Sequence, residues 1–477
     1  MPNRFYRDWI IGGAIILVVL ACHGRLSPPD APAQASSPRP KYIFFFLVDG
    51  GGITHIEITR QYNRVVHNEG LIITDNIMKE GALGLVATEP ANSLSTDSAA
   101  AATALASGCK AKLGMLGMCA DGTVPKTAME IAKEKGMRIG LVTNGTVYDA
   151  SPAAFLCQVP SRRQYAAILN CYLEKQPDLL LGGGRDQFVA KREAENRLGD
   201  EIDVTAAFVN KGYAKVETKS ELKKVPGGRV LGLFSPADMS FEIDRDTNTE
   251  PSLYEMTQAA IRLLHNNQRG FFLFIENEHV DTAAHQSDIA AVIRDFREFD
   301  RAVGLAYEFY KKYPRETLII VTSDHETGGV GFTLALKDLS STKGDNQAAG
   351  TTEDLKKIHS LPISLKRAAE MLGPRPTGAA IDAVMKEYFK GFRLAPEFRE
   401  AILKQQPISR TLFTDATINA LGMMIANNTQ AYWLTSTHTN QPVFVAAIGE
   451  GSERFRGYQD NSDLGKTLKA FLESMKE

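Results

Sequence analysis

Apolar positions along the 477-residue chain fall into short runs bounded by polar residues. Runs of strand length occur at 42–48 (YIFFFLV), 138–143 (RIGLVT), 178–181 (DLLL), 229–234 (RVLGLF), 271–275 (FFLFI), 317–322 (TLIIVT) and 442–448 (PVFVAAI). Near-continuous apolar character of this kind belongs to strands covered on both faces. Between them, at 98–107, 126–135, 254–268, 289–312 and 461–475, apolar residues recur at helical spacing. The alternation predicts an α/β fold: a large central, mostly parallel sheet with helices on both faces. Residues 331–434 differ in texture, with short helical patterns, Pro, Gly and charge but little strand signal, and predict a helical cap inserted into that fold.

The first residues break the pattern. Arg4 and Arg7 precede an apolar run from Trp9 to Ala21, which is shorter than the roughly 20 residues a spanning helix needs and suits a signal peptide over 1–21. The run ends in Val19-Leu20-Ala21-Cys22, which resembles the lipobox of bacterial lipoproteins and implies cleavage before a lipidated Cys22. Export follows, with a membrane anchor and a protein facing the periplasm or cell surface; the rival reading is an uncleaved anchor. Residues 22–40, rich in Pro, Ala and Ser, read as a flexible tether. The remaining cysteines, Cys109, Cys119, Cys157 and Cys171, can form two disulfides in an oxidising compartment by any of three pairings. A cysteine zinc site is the alternative, and no C-x-x-C pair supports it. Lys plus Arg (54) nearly balance Asp plus Glu (56), which argues against a broad basic face for nucleic acid and points to a small partner. A homodimer is the other partnership considered.

Three predicted strands end in a carboxylate: Asp49, Glu276 and Asp324. One acidic residue after a strand is an ordinary turn; three at the carboxyl edge of one sheet, where ligands bind, suggest a cation site. The segment E-N-E-H-V-D-T-A-A-H adds Asp281 and His285, four apart and so on one helical face. Asp324 is followed by His325, and His438 lies just before a strand, giving a mixed N/O donor set that suits zinc. Singly, each of these histidines would be a surface or hydrogen-bonded residue, as His55, His67, His265 and His359 are read; His279 is read the same way but lies inside the E-N-E-H-V-D-T-A-A-H segment, which leaves a ligand role open to it. Ser98 opens an alanine-rich helix behind Asp97. A serine there is most often a cap, but the free N–H groups of a helix start also welcome phosphate, and a nearby metal can activate the hydroxyl.

Together, T-D-S-A-A-A-A-T-A-L-A-S-G, G-G-G-R at 182–185, the Glu276–His285 spacing and V-T-S-D-H-E make the chain similar to the alkaline phosphatase family over nearly all of residues 41–460. The resemblance implies a three-layer sandwich over 41–477, with the cap at about 331–434, that hydrolyses small phosphate monoesters with two Zn2+ and one Mg2+. It implies one zinc on Asp281, His285 and His438, and a second on Asp49, Asp324 and His325 beside the nucleophile Ser98. Magnesium goes to Asp49, Glu276 and Ser151, and a phosphate clamp to Arg162, with neighbouring Arg163 as a surface charge.

Some positions depart from the family pattern. Val48 stands where glycine is common before Asp49, and Ser151 replaces the usual threonine. Asp149 and Thr282 occupy positions that often carry His or Lys, so the lack of a cation at Thr282 predicts weaker hold on product phosphate. A phosphodiesterase on the same two-metal site and a non-catalytic metal- or phosphate-binding lipoprotein are the rivals. No C/S-x-P-x-R sulfatase segment occurs, and Ser98 lacks the G-x-S-x-G elbow of an acyl hydrolase.

Overall fold

Continuous apolar runs can satisfy their backbone only by pairing on both edges, and seven of them here join one ten-stranded sheet. The computed structural model describes residues 40–189, 203–336, 347–408 and 415–475. The signal peptide 1–21, lipidated Cys22 and all but the last residue of the tether lie outside the described residues. The strands are β1 (Tyr42–Val48), β2 (Ala82–Ala87), β3 (Arg138–Thr146), β4 (Leu179–Gly183), β5 (Tyr213–Val216), β6 (Arg229–Leu233), β7 (Phe271–Asn277), β8 (Thr317–Thr322), β9 (Val443–Gly449) and β10 (Gly457–Asp460). They lie in the order β10-β2-β9-β8-β1-β7-β3-β4-β6-β5, all parallel except β9, which runs against both β2 and β8.

β1 is buried along its whole length, and its alternate side chains feed two cores. Ile43, Phe45 and Leu47 join the Ser98–Ser107, Ala128–Glu134, Tyr165–Lys175 and Asn461–Glu473 helices; Phe44, Phe46 and Val48 join the Leu253–Leu264 and Ile289–Lys312 helices. The result is a helix–sheet–helix sandwich. Phe155 centres one face, with ring centroids 4.9 Å from Phe45 and 4.5 Å from Phe274. Burying each such ring stabilises the fold by about 1.5–3 kcal/mol.

The predicted runs appear within a few residues of their expected ends. β2, β5 and β10 carried no apolar run: β2 alternates buried and exposed residues, β5 is a four-residue edge, and β10 is largely polar. The Ile53–His67 helix was likewise hidden by its mixed composition, ITHIEITRQYNRVVH.

Among the described residues between β8 and β9 stand five helices, Thr352–His359, Leu365–Leu372, Gly378–Tyr388, Pro396–Lys404 and Ala416–Thr429. They build a third core with Ile58, Tyr62, Ile289 and Ile293 of the sheet's covering helices. The chain leaves and re-enters this region through one antiparallel ladder, where Gly331 faces Tyr432 and Phe332 faces Ala431.

Candidate active site and metal centre

β1 lies between β7 and β8, and Leu47 pairs with Glu276 on one side and Thr322 on the other. Parallel register therefore carries Glu276, Asp49 and Asp324 to the same edge. The turn after β1 is tight: Gly50 has φ +69°, and a Cβ there would come 2.5 Å from Asp281 Oδ1. Its N–H donates to Asp324 Oδ1 at 3.2 Å, and the Gly51 N–H to Ser323 Oγ at 3.0 Å, tying the turn to the end of β8. Val48, the departure before Asp49, simply packs into the core.

Two groups of donors result, Asp281 with His285 and His438, and Asp49 with Asp324 and His325; within each, one ligand atom per residue lies within 4.8 Å of the others. Asp281 and His285 share a face of the His279–His285 helix, with His285 Nε2 3.0 Å from Asp281 Oδ2. The Nδ1 atoms of His285 and His438 meet the carbonyls of Ser436 (2.6 Å) and Thr96 (2.8 Å), so both rings turn Nε2 toward Asp281. These Nε2 atoms are 3.1 Å apart, and His438 stacks on His325 with centroids 3.6 Å apart, which joins the two groups.

Ser98 is the first residue of its helix, and Asp97 is the cap, accepting from the Ala100 N–H at 3.1 Å. All ten helix residues are buried. Small side chains allow this: a Cβ on Gly465 of the neighbouring helix would come 2.3 Å from the Ala104 carbonyl. Ser98 Oγ lies 3.3 Å from His325 Nε2, so the helix start, with its unpaired N–H groups, faces the second donor group. Arg162 reaches the same place, 3.0 Å from Asp149 Oδ1 and 3.6 Å from Asp97 Oδ2. Arg163 is exposed and its side chain has no ion pair among the described residues. Ser151 Oγ donates to Asp49 Oδ2 at 3.2 Å, and Glu276 Oε2 accepts from Thr143 Oγ1 at 2.6 Å.

The charges do not balance locally. Burial, then the crowding of Asp324, Asp281 and Glu276, raises the Asp49 carboxyl well above its ordinary range. Burial likewise pushes Glu276 up to about 8 despite the Thr143 hydrogen bond. On the other side burial opposes ionisation, yet His285 foremost holds Asp281 far down, and Asp281 in turn holds His285 up at about 9. Burial and the neighbouring His325 depress His438 to about 4. No hydrogen bond reaches the buried Asp49 Oδ1, Glu276 Oε1 or Asp324 Oδ2. Carboxylates crowded without donors, next to imidazoles already oriented by carbonyls, are what cations require, so these residues fit metal ions.

The family model described as alkaline phosphatase matches residues 40–474. The chain belongs to the alkaline phosphatase family. The phosphatase is 32% identical to alkaline phosphatase 4 of Bacillus subtilis over 389 residues, covering 80% of this chain and 77% of that one. It is 29% identical to alkaline phosphatase 3 of the same organism, covering 93% and 92%. The crystal structure of Thermus thermophilus alkaline phosphatase superposes with a TM-score of 0.81 at 28% identity, covering 95% and 96% of the two chains.

Several polar residues of the phosphatase site were not singled out in the sequence. Thr327 Oγ1 donates to Asp281 Oδ1. Ser323 Oγ donates to the His325 carbonyl at 2.6 Å, and Thr143 holds Glu276. All three sit on or beside strands, and a threonine or serine there gives no signal until the fold shows what it faces. Thr282 carries no charge, and its hydroxyl donates to Glu278 Oε1 at 2.5 Å. His279 stays outside the metal groups, its Nδ1 3.4 Å from Asp295 Oδ1. Of three possible pairings the cysteines take Cys109–Cys119 and Cys157–Cys171, with Cα separations of 5.6 and 5.9 Å.

Proposed function

We propose that this phosphatase hydrolyses phosphate monoesters through a phosphoserine on Ser98, with two Zn2+ and one Mg2+ as its cofactors. The observation that carries the reading is Ser98 Oγ at a helix start, 3.3 Å from His325 Nε2 and beside two groups of three donors that could each hold a cation. Asp281, His285 and His438 would hold one zinc ion; Asp49, Asp324 and His325 the other; Asp49, Glu276 and Ser151 the magnesium ion. Bound there, the cations supply charge stabilisation to the attacking and leaving oxygens and make the serine hydroxyl acidic enough to react at neutral pH.

Ser98 Oγ bonds to phosphorus as its proton passes to solvent and the ester P–O bond breaks, the departing oxygen taking a proton from solvent to leave as the alcohol. Water then attacks the phosphoserine, the P–Oγ bond breaks, and inorganic phosphate departs with Ser98 restored. The planar guanidinium of Arg162 bridges two phosphoryl oxygens, and the N–H groups at the helix start take up charge that develops between them. Asp97 and Asp149 keep that guanidinium charged against burial and fix its plane.

The test is phosphate release from a simple monoester after chelation and re-addition of zinc and magnesium. Activity should vanish and return, and Ser98→Ala should remain inactive while still binding zinc. Activity that persists in Ser98→Ala sinks the phosphoserine route.

Export as a lipoprotein anchored through Cys22 is part of the same proposal. It is supported by the segment from Arg4 to Cys22 and by two disulfides of the kind that persist in oxidising compartments. Loss of fatty-acid labelling in Cys22→Ala is its test. A second copy of the chain is the proposed assembly partner, supported by an apolar surface around Ile53, Leu83, Leu85 and Tyr458.

A further inference from the structure

Arg162 is held from two directions by one residue of a separate loop, Gly114. The Gly114 N–H donates at 3.0 Å to Asp97 Oδ2, the oxygen that lies 3.6 Å from Arg162 Nη1. The Gly114 carbonyl accepts from the Arg162 N–H at 2.9 Å. Asp97 Oδ1 is committed to the Ala100 N–H, so the helix start fixes one oxygen of that carboxylate and Gly114 fixes the other. With φ at +79°, Gly114 occupies a backbone region that glycine enters without steric cost.

Gly114 stands midway round the loop that the Cys109–Cys119 disulfide closes, its two cysteines ten residues apart. Cys109 directly follows Gly108, which ends the Ser98–Ser107 helix, so the cross-link ties the far end of the loop to the helix that begins with the nucleophile. The loop has little else to hold its shape. Residues 109–119 form no helix, and Lys112 and Leu113 are exposed. Its first half bonds to Ala91 and Asn92, both exposed, at 2.9 and 3.0 Å. Its second half bonds to Val159 through Leu116, at 3.1 and 2.9 Å, and to Thr103 Oγ1 through the Gly117 N–H at 2.8 Å. Arg162 itself lies within the span closed by Cys157–Cys171, but there the Tyr165–Lys175 helix supplies an anchor that 109–119 lacks.

Hydrogen bonds to exposed partners compete with water and hold a loop weakly, whereas a covalent closure removes whole families of conformations. We propose that the Cys109–Cys119 disulfide is a positioning element of the phosphate site, fixing the Gly114 peptide to the Ser98 helix and so setting Asp97 and Arg162 in register with the nucleophile. The inference rests on Arg162 clamping phosphate in the phosphomonoesterase reading, and on nothing about the metals.

The test is a double-mutant cycle. Metal-loaded wild type, Cys109→Ala/Cys119→Ala, Arg162→Ala and the triple variant are assayed on phenyl phosphate below their melting temperatures, with inorganic phosphate as inhibitor. Removing the disulfide should lower kcat/KM about tenfold and weaken phosphate inhibition by a similar factor. Zinc affinity, titrated against a chelating dye, should stay within about twofold, and in the Arg162→Ala background the same cysteine change should cost less than about twofold. Equal losses in both backgrounds, or no loss in the first, overturn the inference and leave the phosphatase standing. Gly114→Val keeps both disulfides and serves if the cysteine variant does not fold. A Cβ there meets nothing within 4 Å, yet a β-branched residue resists φ +79° and turns the peptide. It should reproduce the loss, and Gly114→Asn, which tolerates positive φ, should largely escape it; Gly114→Val with wild-type kinetics also overturns the inference. Arg162→Ala as active as wild type removes the clamp and this inference with it. A metal-loaded wild type inactive on phenyl phosphate brings down the phosphatase reading as well.

Discussion

Arg162 and Arg163 carry the same charge at adjacent positions, yet only Arg162 lies between two carboxylates, Asp149 and Asp97. A guanidinium whose plane is fixed in advance gives its hydrogen bonds to phosphate without reordering. Arg162→Ala should lower kcat/KM on a simple monoester about 10²–10³-fold, and Arg163→Ala should stay within about twofold; matched losses would show that the neighbours' roles are misassigned. Thr327 holds Asp281 by its hydroxyl, which leaves Asp281's other oxygen facing His285. Removing such a supporting hydrogen bond typically weakens metal affinity about 10–100-fold, so Thr327→Val should lower zinc affinity in a competition titration with a chelating dye. Unchanged affinity would mean the contact does not orient the ligand. At Thr282 the side chain is committed to Glu278 and brings no charge toward the phosphate. Installing a cation with Thr282→Lys should tighten competitive inhibition by inorganic phosphate, and an inhibition constant no tighter than wild type contradicts that.

At the scale of elements, legibility followed burial. β1, β7 and β8 are buried along their whole length, so each reads as one apolar run followed by its carboxylate. β2 and β10 lie near an edge with one face open, where alternation and polar residues blur the pattern. Burial also sets a pH response in the long Ile289–Lys312 helix. Asp300, 5% exposed, receives the N–H groups of Ile72 and Ile73 at 3.0 and 2.9 Å, and burial nonetheless pushes its carboxyl up to about 7 from an ordinary 3.8. A raised folded-state pKa means the folded protein binds this proton more tightly than the unfolded chain. Stability is therefore fully present below about 4 and declines as pH rises toward 7, by on the order of a few kcal/mol. Asp300→Asn keeps one acceptor oxygen and cannot ionise. Urea midpoints from pH 4 to 8 should show wild-type stability falling relative to the variant, and parallel curves would refute the assignment. Asp300 bonds the Ile72–Ile73 backbone rather than any metal ligand, so the comparison cancels metal-linked effects.

For the molecule as a whole, the ten-stranded sheet leaves β2 and β10 beside a cavity of about 740 Å³ where apolar side chains such as Ile53, Leu83, Leu85 and Tyr458 are rimmed by charged ones such as Glu57, Arg60 and Lys79. Leu83 and Ile53 are each 49% exposed and Tyr458 67%, an unusual cost for one surface unless something covers it. Sedimentation velocity should find a dimer that Leu83→Asp/Leu85→Asp converts to a monomer with activity retained on phenyl phosphate. A monomeric wild type, or a variant that stays dimeric, removes the proposed partner.

Local pattern alone determined the sheet-and-helix class, the strands buried on both faces, and the residue types of the candidate metal and nucleophile site, because burial and ligand chemistry leave their mark within a few positions. Ser98 and the Glu276–His285 segment were legible for that reason. Strand order, which sets Glu276, Asp49 and Asp324 side by side, was not, since pairing joins residues hundreds of positions apart whose runs look alike. Tertiary structure likewise set Arg162, and not Arg163, between Asp149 and Asp97, selected the disulfide partners, and placed Thr327, Ser323 and Thr143 behind the candidate ligands. A hydroxyl or a charge acquires its role only from what packing brings within hydrogen-bond reach.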